Sequence, residues 1–431
     1  MTEPRASIWV GLLDLDDSGP VRGVSGPLGG RHDIARVLVR LHHAPIGYVQ
    51  LPVAPADSLA ARATSLAERT LAGRIRGHED LDKEAQAAQQ ESAGWLAAVS
   101  CPHRFATSGG AGVTVIICTR DRTKGLVESL RSIQQVNYEP LEILVVDNAP
   151  TTDGTRELVT ALAEDDARIR YTCEPDPGLS RARNHGVARA QFELIGFTDD
   201  DTRVDPGWPA AIAAGFAADS EAMCVTGLVA SSSLDTGSER YFDSRYSWGE
   251  AFEPRRYDLL THRHPSVLYP FSAGVFGTGA NFAIRRSAVN ELGGFDPILG
   301  TGGPGRGGED LDMFLRVILA GGRIGYLPSS LVWHQHRSDV DALGDQIYSY
   351  GHGLGAYLAK QLITGQMRVS VLGRGLGHAR VILGRTRRAS RAGQMRARGR
   401  RLALTEARGV VAGALCYRRV ARQAPGASRE P

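Results

Sequence analysis

The hydrophobic pattern changes character near residue 113. VTVIIC (113–118) and LEILVVD (141–147) are unbroken apolar runs, as expected of strands buried on both faces. Between them Leu126, Val127, Leu130 and Ile133 recur at helical spacing. The alternation continues with a helix over 157–163, a strand IRYTCE (169–174), a helix LSRARNHGVARA (179–190) and a strand in FELIGFTDDD (192–201). Strand and helix alternating through short connections predicts a mostly parallel α/β sheet flanked by helices. In such sheets ligands bind beyond the carboxyl ends of the strands, so the informative positions are 119–122, 147–148, 174–177 and 199–201. Further on, Leu311, Phe314, Leu315, Ile318 and Leu319 mark an amphipathic helix that Gly321-Gly322 ends, and 324–337 reads as a strand running out in His334 and His336.

The flanking segments are patterned differently. Residues 1–100 read as a small α+β unit: two short β-rich runs either side of the turn-like HHAP (42–45), then helices over 58–71 and 80–99. Residues 101–112 are rich in Gly, Ser and Pro and read as a linker. Residues 113–338 form the main unit, with an insertion at about 235–276, and 339–431 read as a helical, arginine-rich extension.

Net charge is +3, yet 374–422 holds fourteen arginines against one acid, Glu406. This asymmetry points to an anionic partner for the tail, a membrane surface or nucleic acid. The amino terminus does not read as a secretory leader, and no run approaches the roughly 18–20 apolar residues of a membrane span, so the expected location is cytoplasmic, either soluble or peripheral to the inner face of the cell membrane. The five cysteines are widely spaced without a CxxC, which argues against both disulfides and a zinc site.

Several segments carry candidate chemistry. Asp199, Asp200 and Asp201 crowd one strand end, a repulsion that a hard divalent cation such as Mn²⁺ or Mg²⁺ relieves, or that an acidic solvated turn tolerates. Asp147 can accept from a nucleoside, or cap a turn. Arg122 can meet phosphate, or pair with a neighbouring acid. Arg181, Asn184 and His185 share a helical face near a helix start, a natural anion site or an ordinary solvated face. Glu309 and Asp310 stand in the first turn of their helix, where the dipole favours the ionised carboxylate. GTGANFAIRR (277–286) combines a Gly-x-Gly with Asn281 and an arginine pair without the spacing of a phosphate-loop motif. Nine of the 28 aromatic residues lie between Tyr241 and Phe276, suiting either an acceptor surface or the packing of a subdomain.

In order and spacing, VTVIICTRDR, LEILVVDN, DPGLSRARN, GFTDDD with its downstream Pro-Gly-Trp, GTGANFAIRR, GGEDLDMFLR and LPSSLVWHQHR resemble the inverting family 2 glycosyltransferases of bacteria. The resemblance spans 113–337 and implies a GT-A fold and transfer of a sugar from a nucleotide-diphosphate sugar to an acceptor hydroxyl. It implies Thr119 and Asp147 on the nucleoside, with Arg122, Arg183, Asn184 and Asp200 also on the donor side. Asp199 and Asp201 would be the outer acids of a DxD metal motif, joined by His334, with Mn²⁺ or Mg²⁺ as cofactor. Asp310 would be the general base with Glu309 beside it. Trp248, Asn281 and Arg285 fall to the acceptor, which would be a carbohydrate, a lipid-linked sugar or a small molecule of cell-envelope polysaccharide synthesis. The competing readings are a sugar nucleotidyltransferase, which needs a Gly-rich basic signature that CTRDRTKG does not supply, and a non-catalytic protein binding anionic surfaces through its tail.

Overall fold

The computed structural model describes residues 7–17, 19–29, 32–53, 55–87, 94–246, 248–367 and 396–423. Four strands open the chain: β1 (Ile8–Asp14), β2 (Arg22–Gly23), β3 (Ile34–Leu41) and β4 (Ala44–Pro52). They form one sheet in the order β2-β1-β3-β4, with β1 parallel to β3. Helices α1 (Ala56–Thr70), α2 (Ala72–Ala87) and α3 (Trp95–Ser100) follow. Strand β1 is made by the apolar run IWVGLLD, to which the sequence reading assigns no element.

The second sheet takes in β5 (Ser108–Thr119), β6 (Glu139–Asn148), β7 (Ile169–Glu174), β8 (Leu194–Asp199), β9 (Thr202–Val204), β10 (Ala222–Ser231), β11 (Arg255–Tyr257), β12 (Asn281–Arg285) and β13 (Arg323–His334). Its path is β11-β13-β10-β12-β8-β5-β6-β7, with β9 on β13. Helices α4 (Thr123–Gln134), α5 (Gly154–Asp165), α6 (Leu179–Arg189), α7 (Trp208–Ala218), α8 (Gly237–Tyr246), α9 (Arg286–Glu291) and α10 (Glu309–Leu319) flank it. The fold is the α/β one expected: in this mixed sheet β13, β10, β8, β5, β6 and β7 run in one direction. Strands β8, β5, β6 and β7 are parallel, whereas β12 runs antiparallel to both β8 and β10. The segment containing β12 had been read for its glycines; it is NFAIR, buried at its first four positions, that makes the strand. The expected linker differs as well, because β5 begins at Ser108, five residues ahead of the apolar run.

The two sheets share a core. Val10, Leu12 and Leu38 of the first pack with Leu228, Ala230, Leu331 and Trp333 of the second. Arg40 on β3 adds a buried bridge to Asp205, 2.7 Å away. At the other end, α11 (Val340–Ile363) and α12 (Arg396–Gln423) pack closely. A Cβ at Gly355 would lie 1.9 Å from the Val410 carbonyl, and one at Gly413 only 1.8 Å from that of His352. Glycines four apart on both helices thus let the backbones touch. Among the described residues, no helix is long and apolar enough to cross a membrane.

Candidate active site

The site lies at the carboxyl ends of β5, β6, β8 and β13, where a sheet of this class exposes its loops. Strand β8 ends at Asp199, and the Thr202 hydroxyl donates to the Asp199 carbonyl, closing a tight turn with Asp200 and Asp201 at its tip. Asp200 points inward: it accepts from the Thr119 hydroxyl at 2.7 Å and from Arg122 at 2.5 Å. It is therefore held by protein groups, and with Thr119 it anchors the turn. Burial raises its pKa against the pull of Arg122. Asp201 accepts from Arg122 at 2.9 Å and lies 3.6 Å from Arg337.

Asp199, Asp201 and His334 converge, each offering a ligand atom within 4.8 Å of the others. Burial, and next the Asp201 carboxylate, push the Asp199 pKa well up. His334 is positioned by a chain of hydrogen bonds that fixes its protons. The Ser231 hydroxyl gives its only hydrogen to Asp243 at 2.6 Å, so at 2.8 Å it must accept from Nε2–H of His336. Burial drives both imidazoles toward the neutral form. Neutral His336 then has a bare Nδ1, which accepts Nδ1–H of His334 at 3.2 Å. This leaves Nε2 of His334 with a lone pair, 3.4 Å from the Asp201 carboxylate. A lone pair facing a carboxylate is unfavourable unless a cation lies between them. Two carboxylates and a neutral imidazole are donors suited to Mn²⁺ or Mg²⁺, with Ser231 and His336 as the supporting groups.

The acids of α10 stand nearby. Gly308, with φ of 83°, turns the chain into this helix, and a Cβ there would lie 2.6 Å from the Gly353 carbonyl, so only glycine fits. Asp310 is half-buried and accepts from the backbone N–H groups of Gly279 at 2.7 Å and Leu311 at 2.8 Å. Glu309 is buried and accepts from Arg183 at 3.0 Å. Arg183 is itself 2% exposed, ringed by Phe197, Phe282 and Phe295 at 5.3–5.6 Å, and donates to the Gly279 carbonyl. Its guanidinium reaches within 4.0 Å of Asp199. One cation thus ties the acidic turn of β8 to the start of α10.

Asp147 is fully buried at the end of β6. One carboxylate oxygen accepts from Tyr171 at 3.1 Å; the other has no partner, and burial raises the pKa. Beside the acidic turn is a cleft of about 530 Å³ lined by Arg122, Lys124, Asp201, His336 and Arg337. Three cations there suit an anionic ligand. Lys124 and Arg337 were not singled out from sequence, although both sit just past strand ends. The pairing of His334 with His336 does not follow from strand alternation, because β13 ends at His334 and His336 lies in the segment beyond it.

Three expectations are corrected. The Asn184 amide binds the backbone of Phe295 through both its oxygen and its nitrogen, at 2.7 and 2.8 Å, so it braces a loop instead of facing a donor. Asn281 is fully buried; it accepts from the Trp208 indole at 2.8 Å and donates to the Leu228 and Ser330 carbonyls, leaving nothing for an acceptor. Arg285 pairs in register with Leu194, at the opposite end of β8 from Asp199, and donates to the Ala222 carbonyl. The shared helical face of Arg181, Asn184 and His185 also divides: Arg181 lies 3.8 Å from Asp176, and His185 lies 3.1 Å from Glu174. In the insertion Tyr241, Phe242, Tyr257, Tyr269 and Phe276 are core residues. Trp248 remains half-buried, its ring 6.2 Å from that of His334.

Residues 114–293 match the model of the glycosyl transferase family 2 domain. Over 235 residues the chain is 26% identical to the pre-mycofactocin glycosyltransferase of Mycobacterium tuberculosis, covering 53% of this chain and 43% of that protein. It is 23% identical over 197 residues to a glucosyl-dolichyl phosphate glucuronosyltransferase of Haloferax volcanii, covering 44% and 58%. The chain thus spans about half the length of these curated relatives. Among solved structures, a mannosyltransferase from Pyrobaculum calidifontis in complex with GDP-Man and Mn²⁺ aligns at 19% identity over 80% of this chain and 96% of that one, with a TM-score of 0.48.

Proposed function

The chain carries a family 2 glycosyltransferase domain on a mixed α/β sheet of the GT-A kind, and from that premise we propose that it transfers a sugar from a nucleotide-diphosphate sugar to an acceptor hydroxyl, inverting the anomeric centre. The observation that carries this reading is the convergence of Asp199, Asp201 and the bare Nε2 of His334, joined through Arg183 to the carboxylates of α10.

In this reading residues 113–338 do the chemistry. The unpaired oxygen of Asp147 accepts a hydrogen bond from the nucleoside, and Arg122, Lys124 and Arg337 face the diphosphate. Asp199, Asp201 and His334 would hold a divalent cation, which would supply a Lewis acid to offset charge on the leaving nucleoside diphosphate. Asp310 removes the proton of the acceptor hydroxyl as it attacks. Its hydrogen bonds from Gly279 and Leu311 aim the carboxylate. Glu309, neutralised by Arg183, holds the helix start in place rather than taking a proton. The anomeric carbon passes through an oxocarbenium-like state. A single displacement with one base inverts it. Trp248, at the rim beside His334, offers an aromatic face to the acceptor.

The tail helix gives the protein a membrane-facing side. On α12 Leu404, Val411 and Leu415 are each more than 60% exposed, at spacings of seven and four, among Arg400, Arg408 and Arg419. An apolar stripe edged by arginine suits an anionic lipid surface and a lipid-linked acceptor.

The test is turnover of Asp310→Asn against a panel of nucleotide sugars, with donor binding read in parallel by thermal shift with and without Mn²⁺. Loss of transfer by 10²-fold or more with donor binding retained is expected, in line with about 10²–10⁴ for general base catalysis. Unchanged turnover removes Asp310 from the role, and a wild type that no nucleotide stabilises removes the transferase reading.

A further inference from the structure

Away from the active site, the fold gathers five metal-ligand side chains that are far apart in sequence. His42 comes from the turn between β3 and β4, His78 and Asp82 from α2, and Cys101 and His103 from the segment after α3. His42, Asp82, Cys101 and His103 each offer a ligand atom within 4.8 Å of the others. Three contacts are closer. His42 Nδ1 lies 3.3 Å from His78 Nε2 and 3.4 Å from Cys101 Sγ, and His78 Nε2 lies 3.2 Å from the same sulfur. A tetrahedral zinc ion with bonds of about 2.0–2.3 Å has ligand atoms about 3.4 Å apart. The triangle made by these two nitrogens and one sulfur is one face of that tetrahedron.

Two features of the local structure point the same way. First, His42 and His43 both have positive φ, 51° and 66°. This is the backbone of a two-residue hairpin turn in which Asn, Asp or Gly normally sits. A histidine held there, with its backbone N–H bonded to Asp16, is a strained choice that aims the ring into the cluster. Second, the residues that α2 buries are His78, Asp82 and Ala85, at helical spacing. An ordinary surface helix turns an apolar stripe inward; this one turns inward an imidazole and a carboxylate. Arg104 donates to one Asp82 oxygen at 2.7 Å and Gln86 to the other at 3.2 Å, orienting the carboxylate as supporting groups do in metal sites.

We propose that His42 and Cys101, with two of the three neighbouring side chains His78, Asp82 and His103, bind a structural Zn²⁺ ion, fastening the β3–β4 turn, α2 and the segment leading into β5 to one another. Sequence spacing argued against zinc because the usual rule looks for paired ligands within one short loop. Here each ligand is brought by a different part of the fold, apart from the one-turn pair His78 and Asp82. Zinc also adds to the few hydrophobic contacts that α2 makes, chiefly through Ile75 and Ala85, so its binding free energy becomes stability of this region.

The experiment uses the full-length chain, stripped with a chelator and titrated with Co²⁺. A thiolate-to-cobalt charge-transfer band in the near ultraviolet should saturate at one equivalent and disappear when Zn²⁺ is added. It should persist in Asp199→Asn, because the active-site cluster has no sulfur, and vanish in Cys101→Ser. In the Asp199→Asn background, Cys101→Asp guards against a folding defect: it should retain one equivalent of zinc without the cobalt band. In the same background chelation should lower the unfolding temperature, and adding Cys101→Ser should abolish that response. A wild type with no thiolate band and no response to chelation makes the cluster a set of hydrogen bonds and overturns the proposal, as does a band that survives Cys101→Ser.

Discussion

Nδ1 of His334 and Nδ1 of His336 face each other at 3.2 Å, so one nitrogen must carry the hydrogen and the other the lone pair. Ser231 and Asp243 decide which, and the outcome is a lone pair on His334 Nε2 facing Asp201. His336 is therefore a positioning residue. His336→Ala frees the His334 ring and its tautomer, and should weaken Mn²⁺ binding by about 10–100-fold. Titration calorimetry reads this directly, and equal affinity in variant and wild type would remove the relay from the account.

Arg183 and Glu309 form an ion pair buried on both sides. Removing one partner leaves a stranded charge, so Arg183→Met should cost about 3–5 kcal/mol of stability. Arg183→Met with Glu309→Gln strands no full charge and should recover part of that loss. Chemical denaturation of the four proteins measures the coupling. Strict additivity would show that the two residues do not depend on each other.

Metal affinity should depend on pH in a defined direction. In the metal-free protein, burial and the Asp201 carboxylate hold the Asp199 pKa well above the usual carboxylate range. A cation binds the ionised group, so below that pKa it must displace a proton. Apparent Mn²⁺ affinity should therefore rise with pH, by up to about tenfold per unit, and level off once Asp199 is ionised. Calorimetry in buffers of different ionisation enthalpy would report the released proton. A flat profile across the neutral range counts against the raised pKa.

The contact of α11 with α12 rests on backbone approach. Any side chain at Gly413 collides with the His352 carbonyl, itself held in a helix. Gly413→Val should release α12 and expose it to limited proteolysis while the sheet stays protected. Because Glu406 of α12 binds Arg245 of α8 at 2.8 and 2.9 Å, Glu406→Ala should loosen the same helix to a smaller degree.

Membrane contact is tested on the same helix. Leu404→Glu, Val411→Glu and Leu415→Glu together change the outward stripe without touching buried groups. Flotation with anionic liposomes should recover the wild-type chain and lose the triple variant. Equal flotation of both would assign any lipid binding to another surface.

The sequence by itself determined β5 to β8 with the helices between them, and later α10 and β13, because continuous apolar runs and helical spacing are local properties; it did not show β9 to β12. It also placed Asp147, Asp199–Asp201, Glu309, Asp310 and His334 beyond strand ends or at a helix start, where chemistry collects. Residue type alone could not divide the three aspartates; only the resemblance set Asp199 and Asp201 apart as outer acids, with Asp200 on the donor side. Only the tertiary structure turns Asp200 inward onto Thr119 and Arg122 and leaves Asp199 and Asp201 with His334. It could not tell a site amide from a core amide either: Asn184 and Asn281 look like ligand-binding residues until their partners, more than 45 positions away in the chain, use up their hydrogen bonds. The same reason governs His42, His78 and Cys101. Periodicity records what one element buries, while a cluster drawn from several elements exists only once those elements pack.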